Sequence, residues 1–369
     1  MRIVLTGGGT GGHLFPILAV VREIRKQTGG KEDAELLFLG PDGELEEEVM
    51  EKEFIPTKRI LCGKLRRYFS PLNILDFFKI PVGIVQSLWY LLAFMPDVVF
   101  AKGGYASVPV VTAAWLYRIP VVIHESDVTP GLANQIMSRM ARRIAVSFPG
   151  SEKFFSERKV VLSGNPIRTE LTEGSKEEAL KIFSLSAERK TILVIGGSQG
   201  ARAINHAIVG ILPKILKKWQ LIHVTGKNEY EGVLREAGKL GIKAGRGGYH
   251  PYPFLREELS HAFSSADLVV SRAGANALTE IAANAKPAII IPITSSANNH
   301  QEQNAFAFSQ AGAAVVLEQN NLGENILFGE IERTIESKEL CFELGERIKK
   351  FYNSQAVEII AKEILKFTN

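Results

Sequence analysis

The stretch that most constrains this chain is a short apolar run followed at once by a glycine-rich loop and a helix. Ile3, Val4, Leu5 and Thr6 fit a buried parallel strand. Gly7, Gly8, Gly9, Thr10, Gly11, Gly12 and His13 follow, and five glycines in six residues exceed what a tight turn needs. Beyond them Ile17, Val20, Val21 and Ile24 recur at helical spacing, with Pro16 near the helix start, where a missing N–H is tolerated. Strand, glycine loop and helix together aim backbone N–H groups and a helix N-terminus at a phosphate or pyrophosphate.

Gly7, Gly9 and Gly12 satisfy G-x-G-x-x-G, the dinucleotide fingerprint. That fingerprint expects an acid closing the second strand, about 20 residues on. Here the second strand, Leu36 to Leu39, ends in Gly40-Pro41 and Asp42 comes late. His13 would also crowd a dinucleotide pyrophosphate. The loop therefore reads as a diphosphate site with a titratable group built into it.

The chain has 369 residues, room for about two domains at the usual 100–200 residues each. Its 46% hydrophobic and 23% charged content are those of a globular protein with substantial cores. A net charge of +4 is mild, and no nucleic-acid partner is expected. Cys62 and Cys341 are far apart, with neither a CxxC pair nor metal-ligand spacing, which suits a reducing compartment. Met1-Arg2 leads straight into a strand without a signal-peptide pattern, so the expected location is cytosolic.

Along the chain, Glu44 to Lys52 reads as an exposed charged helix. Residues 58–67 carry Lys58, Arg59, Lys64, Arg66 and Arg67 with no acid among them. Tyr68, Phe69, Leu72, Ile74, Leu75, Phe77 and Phe78 follow. The apolar run Ile80 to Met95 is interrupted by Pro81 and Gly83, is too short for a transmembrane helix, and predicts a buried helix over its later part. Asp97 to Ala101 is a strand, Lys102-Gly103-Gly104-Tyr105 a second glycine loop, and a helix runs on through Trp115. Pro120 to Ile123 is a strand ending in His124-Glu125-Ser126-Asp127, polar residues at the carboxyl end of a parallel strand, where open α/β sheets hold ligands. A helix from Pro130 to Met140, a strand from Ile144 to Phe148 and Val160 to Leu162 complete the first half, and Ser163-Gly164-Asn165-Pro166 is a turn-rich boundary before Arg168.

The opening is echoed at Thr191 to Ile195, which runs into Gly196-Gly197-Ser198-Gln199-Gly200-Ala201 and a helix. Without a GK[ST] ending this third glycine loop is no P-loop. Strands follow at Gln220 to Thr225, Leu268 to Ser271 and Pro287 to Ile291. After Leu268 to Ser271, Arg272-Ala273-Gly274-Ala275-Asn276 opens a helix carrying Glu280. Past the last of these strands comes His300-Gln301-Glu302-Gln303-Asn304. The fold class expected is α/β, two Rossmann-like domains facing across a cleft.

With GGTGGH at 8–13, GGSQGA at 196–201, and the HES-D, NPIR, AGA-N-LTE and HQEQN segments in place, the chain resembles the MurG-type glycosyltransferases of family 28. The resemblance runs from Leu5 to about Ala305. It implies the GT-B fold, with residues 1–163 as the acceptor- and membrane-binding domain and 164–352 as the UDP-sugar donor domain. The C-terminal helix, about 353–369, would pack back on the first. The implied activity is inverting transfer of N-acetylglucosamine from UDP-N-acetylglucosamine to undecaprenyl-diphospho-N-acetylmuramoyl-pentapeptide, at the cytoplasmic face of the cell membrane, as a peripheral protein and without a cofactor. The alternative within the fold is a transferase for another UDP-sugar or lipid acceptor, and a different class altogether is a silent binder of nucleotide sugars.

The resemblance implies donor contacts at Thr10, Gly11, Gly12, Asn134, Arg168, Ser198, Gln199, Gly200, Glu280, Gln301 and Asn304, and at Asp127, where the family has Asn; Ser126 likewise stands for Gln. Acceptor contacts fall at Gly103, Gly104 and Tyr105, with Lys102 beside them. His13 is the expected base, because imidazole titrates near neutrality and a helix N-terminus disfavours its cation. A capping or acceptor-binding histidine is the other reading, with Glu125 as second base or orienting partner. The sequence holds no Asp-x-Asp pair, so helix N-termini and Arg168 are expected to serve the diphosphate without a metal. The basic and aromatic stretch from Lys58 to Phe78 has the chemistry to meet an anionic membrane surface.

Overall fold

The structure is a computed structural model, describing residues 1–9, 11–30, 34–63, 72–196, 201–294 and 299–368. The chain divides into two compact units, residues 1–168 with 353–369, and residues 169–352. Each is built around one parallel sheet.

In the first unit the elements alternate: β1 (Arg2–Thr6), α1 (Gly11–Gln27), β2 (Glu35–Gly40), α2 (Glu44–Lys52), β3 (Thr57–Arg59), α3 (Leu72–Phe94), β4 (Val98–Ala101) and α4 (Ser107–Leu116). They continue with β5 (Val121–Glu125), α5 (Leu132–Met140), β6 (Arg143–Val146) and β7 (Val160–Leu162). The sheet order is β3-β2-β1-β4-β5-β6-β7 with every pairing parallel. Helices cover both faces, which is why β1 is apolar at consecutive positions. Ile3 and Leu5 pack with Ile17, Val20, Val21 and Ile24 of α1, and Val4 packs on the opposite face with residues of α4 and α5.

The second unit holds α6 (Lys176–Ile182), β8 (Thr191–Ile195), α7 (Arg202–Lys218), β9 (Gln220–Val224), α8 (Tyr230–Lys239), β10 (Tyr249–Tyr252), α9 (Glu258–Ser265) and β11 (Leu268–Ser271). It then runs through α10 (Ala275–Ala283), β12 (Ala288–Ile290), α11 (His300–Gln310), β13 (Val315–Val316), α12 (Glu324–Glu336) and α13 (Lys338–Lys349). Its sheet order is β10-β9-β8-β11-β12-β13, again all parallel. The last helix, α14 (Ala356–Leu365), returns to the first unit, where Ile360, Ala361 and Ile364 join the α1 side of the core.

Two expectations about α3 need correction. Pro81 and Gly83 do not interrupt it; the helix runs unbroken from Leu72 to Phe94. Gly83 serves a close approach instead, since a Cβ there would lie 2.0 Å from the carbonyl oxygen of Leu61. Gln86 then accepts the Leu61 N–H at 2.8 Å. Nor is the later part of the helix buried all round. Leu91 packs inward, while Phe78, Val82, Val85, Trp89 and Leu92 are 46 to 68% exposed at spacings of four and three residues, a single outward stripe.

Candidate active site

In both sheets the strand order reverses once, between β1 and β4 and between β8 and β11. The carboxyl ends of strands at such a reversal are where this class of sheet binds ligands. The first, second and third glycine loops and the Arg272–Gly274 turn all leave from those four strands.

In the first unit, Gly8 and Gly9 turn with φ of +124° and +85°, which lets the chain leave β1 sharply enough to start α1 at Gly11. Glu46 of α2 accepts the Gly9 N–H at 2.8 Å and holds the turn. Gly12 and His13 stand in the first turn of α1. The second loop bends at Gly103 and Gly104, φ +98° and +83°. A Cβ on Gly104 would sit 3.3 Å from His13 Cε1, and one on Gly103 would meet the Asn134 amide at 3.0 Å. The two loops thus converge on the imidazole, and Tyr105 lies over Gly9, its ring 3.3 Å from where a Cβ would be.

His13 is only partly exposed. Burial, and next the charge of Lys102, push its pKa down to about 4, against a hydrogen bond with the Gly8 backbone. The ring is therefore neutral and a proton acceptor at physiological pH. Glu125 is differently placed. Buried at the end of β5, it accepts the Asp127 N–H at 2.9 Å, the Gly131 N–H at 3.1 Å and Asn134 Nδ2 at 2.8 Å. Burial, and next the charge of Asp127, raise its pKa, and those bonds offset the rise only in part. With its oxygens turned into the β5–α5 loop, Glu125 suits holding that loop more than receiving a substrate proton. Asn134 is 5% exposed and also donates to the His124 carbonyl at 3.2 Å, so it braces the same loop.

Lys102 was expected to meet the acceptor beside Tyr105, but it is 1% exposed and turned inward, its Nζ donating to Ser126 Oγ. Arg168 ends the first unit with its guanidinium 5.0 Å from the centre of the Phe15 ring on α1.

In the second unit, Glu280 is partly exposed on α10, and Gln301 in the first turn of α11 accepts the Ile293 N–H at 3.1 Å. Asn304 is fully buried and donates to the Ala273 carbonyl at 3.0 Å, tying α11 to the turn before α10. Thr10, Ser198, Gln199 and Gly200 lie outside the described residues, as do Lys64, Arg66, Arg67, Tyr68 and Phe69 of the basic stretch. Lys58 and Arg59 of that stretch are described, and Arg59 is paired with Asp42 at 3.0 Å and bonded to Glu47.

Sequence reasoning passed over Arg272. It is 7% exposed at the carboxyl end of β11 and donates to the Ile291 carbonyl at 3.0 Å. Burial lowers its pKa to about 10. An arginine directly after a strand of four buried residues was the available signal.

Comparison with known proteins agrees with this arrangement. Residues 3–146 match the glycosyltransferase family 28 N-terminal domain and residues 191–362 the family 28 C-terminal domain. A protein of Legionella pneumophila named UDP-N-acetylglucosamine--N-acetylmuramyl-(pentapeptide) pyrophosphoryl-undecaprenol N-acetylglucosamine transferase is 38% identical over 360 residues, 97% of this chain and 94% of its own length. One of the same name from Clostridium botulinum is 37% identical over 368 residues, covering 100% of this chain and 99% of its own. The crystal structure of MurG from Acinetobacter baumannii superposes with a TM-score of 0.76 at 25% identity, over 99% of each chain. The chain belongs to glycosyltransferase family 28.

Proposed function

We propose that the chain transfers N-acetylglucosamine from UDP-N-acetylglucosamine to undecaprenyl-diphospho-N-acetylmuramoyl-pentapeptide, with inversion and without a metal. The observation that carries this reading is His13: a neutral imidazole in the first turn of a helix, enclosed by two glycine loops, in a chain whose relatives bear that activity in their names over nearly their whole length. His13 accepts the proton of the attacking sugar hydroxyl. The N-terminus of α1 and the convergent backbone of Gly103 and Gly104 hold the acceptor diphosphate, and Glu125 with Asn134 keeps the β5–α5 loop in register. In the second unit, Glu280 takes the ribose hydroxyls and Gln301 the sugar. Ser198 and the glycine-loop N–H groups stabilise the uridine diphosphate as it leaves.

The acceptor stays in a bilayer, so the first unit works at the membrane surface. The stripe Phe78, Val82, Val85, Trp89 and Leu92 supports docking there, at the cytoplasmic face of the cell membrane. Among the described residues no helix is long and apolar enough to cross a membrane. The test is turnover of radiolabelled UDP-N-acetylglucosamine with a short-chain lipid acceptor, in competition with other UDP-sugars, with and without chelator. Transfer of N-acetylglucosamine that survives chelation is expected. Preference for another sugar, no turnover, or activity restored only by a divalent cation would each refute a stated part of the reading.

A further inference from the structure

Lys102 is a cation buried in the core of the first unit. It directly follows β4, and its backbone N–H donates to the Thr6 carbonyl at 3.0 Å, so its stem is fixed between β1 and β4 where the strand order reverses. The ammonium lies inside the protein, bonded to Ser126 Oγ. The carboxylates of Glu125 and Asp127, on the β5 loop, favour its charge; His13 on α1 and His124 on β5 are the other titratable groups whose protonation it opposes. Burial outweighs the carboxylates and leaves its pKa at about 8, below the ordinary 10.5. Folding therefore penalises the charged lysine, and the penalty lifts as pH rises past about 8. A methionine of similar length would avoid it. A cation that costs stability and reaches no solvent acts through its neighbours.

We propose that Lys102 is a positioning residue for the transfer reaction: its ammonium neutralises the Glu125 and Asp127 carboxylates and pins the loop that carries them beside His13, where a diphosphate has to bind. This rests on the transferase reading above. Two carboxylates near an anionic substrate would repel it, and one buried cation beside them offsets that repulsion without competing for the phosphates. The same charge adds to burial in keeping His13 unprotonated.

The test is a cycle of Lys102→Met, Asp127→Asn and the double variant in the full chain, read by kcat/KM for transfer, its pH profile, and titration of the His13 ring by NMR. Lys102→Met is expected to lower kcat/KM roughly ten- to hundred-fold, the scale of a buried polar group left without its partner. In the Asp127→Asn background the same change should cost several-fold less, because one uncompensated carboxylate is gone. Wild-type kcat/KM should fall above pH ~8, where the lysine discharges, and the Lys102→Met profile should lack that limb. The His13 pKa should rise in Lys102→Met. Equal losses in both backgrounds, or an unmoved His13 titration, would overturn the proposal. If Lys102→Met does not fold, recovery of folding in the double variant supports the pairing, and failure of both counts against it. An inactive wild type would refute the transferase reading alone, since the His13 titration still decides the electrostatic role.

Discussion

The two units solve the same topological problem with opposite chemistry. Each reverses strand order beside its first strand and opens a glycine loop there. At the first reversal the buried and half-buried groups are ionisable: the Lys102 ammonium lies within electrostatic reach of His13, Glu125 and Asp127. At the second they do not change charge near neutrality: Arg272 keeps a pKa of about 10, and Gln301 and Asn304 are amides spent on backbone partners. On the proposed reading, one fold separates proton transfer from leaving-group binding by the residues it places at equivalent strand ends. In the first unit the environment shifts pKa values, and in the second it fixes amide dipoles.

Removing the imidazole should break the contrast most severely. His13→Ala is expected to lower turnover about 100- to 10,000-fold, the range of general-base catalysis, with donor affinity within a few-fold. Because the folded pKa is about 4, wild-type activity should be flat from about pH 5 to 7 and show an acidic limb below that, which the variant should lose. Normal turnover with weakened acceptor binding would make His13 a ligand and reopen the choice of base.

The first unit also depends on a helix from the far end of the chain. Ile360 is fully buried between α14 and α1. Ile360→Ala should cost about 2–5 kcal/mol, measured by denaturant unfolding, and should lower the transition of the first unit while sparing the second. A uniform shift of both would mean that the units unfold as one.

A smaller effect is expected from the outward stripe of α3. Val85→Ser with Trp89→Ser should reduce sedimentation with anionic vesicles and slow transfer to a long-chain lipid acceptor by several-fold. A short soluble analogue should be used as before. Equal losses on both acceptors would move the stripe's role from the membrane to the acceptor pocket.

These contrasts were unevenly visible in the sequence. The apolar runs at Ile3 to Leu5 and Thr191 to Ile195 and the glycine clusters after them are local signals, and they mark both strand reversals. What Lys102 does was hidden, because a lysine beside two glycines looks solvated until the β1 and β5 loops close over it. Asn134 and Glu125 could be picked out as polar residues near a strand end, but not as partners of each other at 2.8 Å. On α3, Pro81 and Gly83 looked like breakers because their cost is local, whereas the packing that offsets it comes from Leu61 and α4. Arg272 escaped notice for the same reason: burial of a charge is a tertiary fact.

The most direct test of the division between the units is the affinity of acceptor-free protein for UDP-N-acetylglucosamine, measured by calorimetry on two sets of variants. Glu280→Ala and Gln301→Ala should each weaken binding roughly tenfold, the loss of about one hydrogen bond to a charged or hydroxyl partner. His13→Ala and Tyr105→Phe should leave it within about threefold, since their partners arrive with the acceptor. Equal weakening by both sets would contradict the assignment of proton chemistry to the first unit and donor binding to the second.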